Sequence, residues 1–172
     1  MKRARIGIIA AAVFAVAAVA FAQAKPDFSG TWTLDPEASG MAAPAPGGAP
    51  AGTGGGGGGG RGGGALGNGP ATVKQTGDTL TIERTMGENK VVTTYKLDGT
   101  ESKNTMMGRG GTPMESVSVA KFDGAKLTIT TKRDMGGQMV ETTETWSVAG
   151  PVLTIESTGG RGPQKRVYKK TT

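Results

Sequence analysis

The chain of 172 residues contains neither cysteine nor histidine. Without cysteine it can form no disulfide, no thiolate nucleophile and no zinc–sulfur site. Without histidine it lacks the most common general base, the usual partner in a catalytic triad and the proximal ligand of most haem groups. We therefore predict a protein that is not an enzyme and uses no cofactor or metal ion. We also predict that its hydrophobic core alone stabilises the fold.

The first 24 residues have the composition of a secretory signal peptide. Lys2, Arg3 and Arg5 precede an uncharged apolar run over residues 6–22, which ends in the triplets Ala-Phe-Ala and Ala-Gln-Ala. Such a segment is typical of exported proteins. The alternative is an uncleaved membrane anchor, but the run is slightly shorter than the ~20 residues of a spanning helix. We expect cleavage after Ala22 or Ala24, a periplasmic or secreted product, and no stable membrane anchor afterwards.

Removal of this segment leaves 17 basic and 14 acidic side chains, a net charge of +3. That is an ordinary surface charge, whereas nucleic-acid binding needs basic residues clustered on one face. Arg61 lies in a glycine-rich stretch, as in RNA-binding Arg-Gly-Gly segments, but it stands alone and has no aromatic neighbours. We predict a monomer with no nucleic-acid partner.

The composition changes sharply over residues 40–71, which are rich in glycine, proline and alanine. Glycine loses more conformational entropy on folding than any other residue, and this stretch offers little apolar surface in return. We predict a disordered linker here. It separates a first strand within residues 25–39 from the rest of the same domain, residues 72–172.

The remaining sequence alternates with a period of two residues, the pattern of half-buried strands. Phe28, Gly30, Trp32 and Leu34 share one face of the first segment. Nine further segments follow, at residues 72–75, 79–85, 90–97, 100–105, 115–122, 126–132, 138–148, 152–157 and 164–170.

Turn-forming pairs separate most of these segments, among them Gly77-Asp78, Asp98-Gly99 and Asp123-Gly124. Such pairs supply the positive φ of two-residue hairpins. The pattern predicts an all-β fold, an up-and-down antiparallel barrel of about ten strands with a disordered glycine-rich insertion after the first strand.

Both ends of this strand series resemble the calycins, the superfamily of lipocalins and fatty-acid-binding proteins. Residues 28–34, Phe-Ser-Gly-Thr-Trp-Thr-Leu, are similar to the Gly-x-Trp first strand of that group. Arg166-Val167-Tyr168 resembles the Arg-x-Tyr of the last strand in fatty-acid-binding proteins. The opening Asp-Phe-Ser-Gly-Thr-Trp is also similar to that of uncharacterised bacterial exported proteins.

The resemblance covers most of residues 28–35 and 72–170, and it implies a barrel that holds a small apolar or fatty-acid-like ligand. Two features depart from it. The family's two-helix lid is replaced by the glycine-rich stretch, and its second inward arginine, on the eighth strand, has no counterpart within residues 141–146.

Two pairs of residues are candidates for roles inside the barrel. We expect Trp32 and Gly30 to form the barrel floor, with Arg166 available to stack on the indole. The functional alternative is that Arg166 and Tyr168, two residues apart on one face, contact an anionic head group. Glu141 or Glu156 could instead neutralise the arginine without any ligand.

Two glycine- and methionine-containing features have simpler explanations. Met106, Met107 and Met114 could bind Cu(I), but without histidine or cysteine they more simply fill apolar gaps. Residues 108–111, Gly-Arg-Gly-Gly, lack the Lys-Ser/Thr of a phosphate-binding loop, which favours a hairpin loop.

Two functions from different classes follow. The first is an exported lipocalin-like binding protein for a small, largely apolar ligand. The second is a structural or protein-interaction module of the cell envelope, with a barrel filled by side chains and no ligand. A cavity of a few hundred Å³ would favour the first.

Overall fold

The computed structural model describes residues 25–41, 64–107, 113–134, 136–159 and 162–171, which form ten antiparallel β-strands. The strands are β1 Gly30–Asp35, β2 Ala71–Thr76, β3 Thr79–Met86, β4 Asn89–Lys96, β5 Asp98–Met107, β6 Pro113–Asp123, β7 Lys126–Asp134, β8 Met139–Ala149, β9 Val152–Thr158 and β10 Gln164–Thr171. The predicted all-β class and strand number are confirmed. The predicted signal peptide lies outside the described residues.

The strands form one sheet in the order β4-β3-β2-β1-β10-β9-β8-β7-β6-β5. Consecutive strands therefore pair along the chain, and β1 pairs with β10, so that the two ends of the domain meet in the middle of the sheet. This is the order of an up-and-down barrel, and the predicted architecture is confirmed. The barrel is closed except where β4 approaches β5.

Side chains bridge this gap between β4 and β5. The Thr94 backbone N–H donates to the Asn104 Oδ1 at 2.9 Å, and the Asn104 Nδ2 donates to the Thr94 carbonyl at 2.9 Å. The Lys96 N–H donates to the Ser102 Oγ at 2.8 Å. An amide side chain thus replaces two bonds of a backbone ladder. The hairpin predicted at Asp98-Gly99 is therefore a turn between strands that do not pair through their backbones.

The floor of the barrel lies at the end where β2, β6 and β8 finish, and aromatic rings fill it. The Phe28 ring packs edge-on against Trp146, with centroids 5.8 Å apart, and is stacked on Phe122 at 6.5 Å. Trp32 is fully buried, and its indole N–H donates to the Phe28 carbonyl at 2.9 Å. The cation over the Trp32 ring is the Lys170 ammonium, at 5.5 Å, in the position considered for an arginine.

Gly30 adjoins this floor and adopts φ +142°, a conformation that L-residues with side chains rarely occupy. A Cβ there would also collide with the Lys170 side chain on its path to the Trp32 ring. The structure thus places Gly30 and Trp32 beside the same lysine.

Residues 64–70, which we name the strap, differ from the disordered linker predicted over residues 40–71. Leu66 is fully buried, Ala65 packs against the same core, and β2 already begins at Ala71. Leu66 is the one branched aliphatic side chain of the linker, and its burial offsets the entropy lost by its glycine neighbours. Residues 42–63 lie outside the described residues.

Candidate functional site

Three arginines lie on the inward faces of their strands, toward the end of the barrel opposite the aromatic floor. On β3, Arg84 follows the buried Ile82 by two residues, and on β7 Arg133 follows the buried Ile129 by four. Arg166 stands near the start of β10. Because β10 is antiparallel to β3 and β7, its start and their ends lie at the same end of the barrel. We call this group the arginine cluster.

The arginine cluster is poorly supplied with hydrogen-bond acceptors. Arg166 is only 6% exposed, and Arg84 and Arg133 are half-buried. The buried Nε of each arginine has no hydrogen-bond partner within the described part of the chain. Arg166 donates from Nη2 to the Gln164 Oε1 at 3.2 Å. Buried donors left unpaired are rare in folded proteins and costly.

Glu144, on β8, is the one buried carboxylate beside the cluster and is 7% exposed. Its Oε2 accepts from the Trp146 indole N–H at 3.0 Å, and its Oε1 accepts from the Ala65 backbone N–H at 2.9 Å. Burial raises the pKa of Glu144, an effect that these two hydrogen bonds and the charges of Arg166 and Arg133 offset only in part.

No side-chain carboxylate neutralises the arginines by direct contact. All 14 acidic side chains lie within the described ranges, and the ion pairs found there at or below 4.0 Å all use lysines. Three guanidinium groups and one buried carboxyl group therefore share the barrel interior at the end opposite the floor, without an ion pair between them. This arrangement is suited to an anion supplied from outside the chain.

Tyr168 adds a hydroxyl group to the same site. Its side chain is fully buried, and the phenol donates to the Gly67 carbonyl at 2.8 Å. Burial raises the pKa of Tyr168 to about 12, so the phenol stays protonated and remains a hydrogen-bond donor at neutral pH. Burial also raises the pKa of Tyr95, on β4.

Two open depressions border this end of the barrel. One, of about 460 Å³, has Arg166, Asn68 and the exposed Lys165 in its lining. The other, of about 370 Å³, has Arg84 and Pro70 in its lining together with Glu83, which lies on the outer face of the sheet. Neither is the interior cavity of a few hundred Å³ that the ligand-binding hypothesis predicts.

The structure brings the two predicted ligand-binding residues together, since Arg166 and Tyr168 both face inward on β10. The acidic partners considered for Arg166 are elsewhere. Glu156 is exposed, and Glu141 is exposed and lies 3.5 Å from the Lys132 ammonium.

Sequence reasoning missed Arg84, Arg133 and Glu144. The signal that could have found them is the period-two alternation itself. Counting in steps of two from Ile82, Ile129 and Trp146 places all three charged side chains on the inward face.

Within the described residues, no group of three acidic side chains is arranged to hold a metal ion. The same part of the chain contains no helix long and apolar enough to cross a membrane.

No protein-family model matches the chain, and no curated protein sequence matches it. Its fold is similar to that of several solved structures. The REP1-NXSQ fatty acid transporter is 14% identical, with a TM-score of 0.46, over 60% of this chain and 70% of that one. Secretory abundant heat soluble protein 4 from Ramazzottius varieornatus is 24% identical, with a TM-score of 0.46, over 63% and 75%. A point mutant of the fluorescent protein UnaG is 24% identical, with a TM-score of 0.46, over 60% and 71%.

Proposed function

We propose that this nearly closed, calycin-like barrel is an exported binding protein for a small, largely apolar molecule that carries an anionic group. The observation that carries the proposal is the arginine cluster, in which no side-chain carboxylate contacts any of the three guanidinium groups. A buried charge without a counterion is costly, and an anionic ligand would supply one. The proposal is one of binding, without catalysis.

The surroundings fit both parts of such a ligand. A guanidinium group binds carboxylates and phosphates through paired N–H donors, and the phenol of Tyr168 adds an O–H donor. Between the cluster and the floor the interior wall is aliphatic, formed by buried side chains that include Ile82, Ile129 and Leu153. A ligand with its anionic group at the arginine cluster and its apolar body toward the floor would match this division.

The ligand can be sought by native mass spectrometry and lipid extraction of protein purified from its own host. Whatever co-purifies is then titrated into Arg166→Ala and into Lys126→Ala, a control change of an exposed cation at the floor end of β7. Arg166→Ala should weaken an anionic ligand by about 1.5–3 kcal/mol, the contribution of a charge-assisted hydrogen bond, and Lys126→Ala should have little effect. Unchanged binding by a folded Arg166→Ala protein would show that the site is wrong.

Export is part of the proposal and rests on the amino-terminal sequence. Mass spectrometry of the mature protein should show a chain that begins at Gln23 or Lys25, with periplasmic or secreted fractions containing it. Recovery of the protein from membranes with Met1 intact would instead favour an anchor.

A second candidate is the interaction module of the cell envelope, in which side chains fill the barrel. The observation in its favour is that both tryptophans, Tyr168 and the strap residue Leu66 are fully buried in one core. In that case the protein purified from its host would carry no small molecule. Arg166→Ala would then alter stability or a protein contact rather than the binding of an anion.

A further inference from the structure

The strap enters the site that the proposed function assigns to the ligand. Its Ala65 N–H donates to the Glu144 Oε1 at 2.9 Å, and its Gly67 carbonyl accepts from the Tyr168 hydroxyl at 2.8 Å. Between these two bonds Leu66 is fully buried in the core. One short peptide segment therefore supplies a hydrogen-bond donor, a hydrogen-bond acceptor and an aliphatic side chain to the barrel interior beside the arginine cluster.

The glycines of the strap bring its backbone against the charged side chains. A Cβ on Gly64 would lie 2.7 Å from the Glu144 Oε1 and 3.2 Å from the Arg166 Nη1. A Cβ on Gly67 would lie 3.0 Å from the Arg84 Nη1, and Gly67 has φ +68°. The strap thus lies beside two of the three arginines.

We propose that residues 64–67 are an intramolecular mimic of the ligand, which the ligand displaces when it binds. This inference rests on the proposed function, because it concerns the same site. The strap satisfies Glu144 and Tyr168 but brings no negative charge to the arginines. A ligand that carries a carboxylate as well can therefore replace every contact of the strap and add the missing counterion.

The chemistry of the strap defines the class of ligand. Displacement would leave the buried Glu144 without its donor and Tyr168 without its acceptor unless the ligand supplies both, and unpaired buried groups are costly. An N-acyl amino acid has the required set: an amide N–H, an amide carbonyl, a carboxylate and an apolar acyl chain. A plain fatty acid has no N–H to donate to Glu144.

The test uses the full mature chain and two probes. The first probe is 1-anilinonaphthalene-8-sulfonate, an apolar sulfonate whose fluorescence reports occupation of the site. The second is a pair of competitors, N-dodecanoylglycine and dodecanoate, which share a carboxylate and a C12 acyl chain and differ by one glycyl unit, which supplies the amide. We expect N-dodecanoylglycine to displace the dye at a concentration at least about tenfold lower, because only its amide N–H replaces the donor that Glu144 loses with Ala65, and an unpaired buried acceptor is costly.

Two variants loosen the strap. Gly64→Ala introduces the close contacts with Glu144 and Arg166 described above, whereas Leu66→Ala removes the buried side chain and leaves the arginines untouched. Leu153→Ala is the matched control, since Leu153 is equally buried in the core but lies on β9, outside the strap. Both strap variants should bind the dye at least about tenfold more tightly than the wild type, because a larger fraction of molecules is open. Leu153→Ala should not, and circular dichroism confirms that each variant is folded.

The possible results separate this inference from the proposed function. Equal dye affinity in wild type and both strap variants would overturn displacement of the strap. Equal potency of the two competitors would overturn the inference that the strap mimics the ligand. Both results leave the arginine site in place. Absence of dye binding in every folded protein, including the loosened variants, would overturn the proposed function itself. As a second readout, dye binding should accelerate hydrogen exchange of the Ala65 amide, and continued protection of that amide would contradict displacement.

Discussion

Replacing Arg166 by methionine should stabilise the ligand-free protein while weakening its binding of anions. Methionine keeps most of the aliphatic stem and removes the charge together with the unpaired Nε. Relief of one unsatisfied buried donor contributes about 1–3 kcal/mol. Loss of the 3.2 Å hydrogen bond to Gln164 costs about 1 kcal/mol. The expected net gain is about 1 kcal/mol, or a rise in melting temperature of about 4 °C.

The assay is urea unfolding and thermal unfolding of the mature protein in a buffer without multivalent anions. Lys126→Met is the control for losing an exposed cation away from the arginine cluster. Anions that bind the folded state stabilise it by mass action, so added inorganic phosphate should narrow the gap between wild type and Arg166→Met. If Arg166→Met proves less stable than wild type by about 1 kcal/mol or more, the arginine is satisfied by the fold and the reasoning fails.

Three further predictions concern the gap between β4 and β5, the floor of the barrel and the buried Glu144. Asn104→Ala should lower the free energy of unfolding by about 1–2 kcal/mol, measured by chemical denaturation, because both hydrogen bonds to Thr94 are lost. Asn104→Asp keeps an acceptor but no donor, and it should not restore that stability. Full stability of either variant would mean that other contacts join β4 to β5. Gly30→Ala should cost about 1–3 kcal/mol because of its positive φ, and an unchanged melting temperature would refute that conformation. Burial raises the pKa of Glu144 in the folded state, so its contribution to stability is greatest below the ordinary value of 4.5 and is lost as the pH rises through the raised value. Wild type should therefore lose stability relative to Glu144→Gln as the pH rises above 4.5, and parallel pH profiles would contradict the raised pKa.

The strand architecture was predictable because each strand carries its own signal. Alternation of side chains reports which face is buried, and glycine-containing pairs mark the turns. Trp32 and Tyr168 lie inward in the structure, on the faces that alternation assigns to them. The gap between β4 and β5 was not predictable in this way. The hydrogen bonds between Asn104 and Thr94 replace the backbone ladder that the turn at residues 98–99 indicated.

The candidate site was only half predictable, for two physical reasons. Charged residues at the ends of strands are ordinarily solvated, so Arg84 and Arg133 attract no attention until the barrel places both near Arg166. The strap depends on contacts across the sequence, since Ala65 bonds to a residue 79 positions away and Gly67 to one 101 positions away. A single leucine among glycines gives no periodic signal of such contacts.

The central claim, that the arginine cluster binds the anionic group of an apolar ligand, is tested most directly by two dyes of nearly identical shape. 1-Anilinonaphthalene-8-sulfonate carries a negative charge, and N-phenyl-1-naphthylamine has the same ring system without it. The ratio of their dissociation constants isolates the contribution of the charge from that of the apolar rings. We predict that the wild type binds the sulfonate at least about tenfold more tightly, and that Arg133→Gln reduces this preference by about tenfold. Equal affinities in the wild type, or a preference that Arg133→Gln leaves unchanged, would contradict the account.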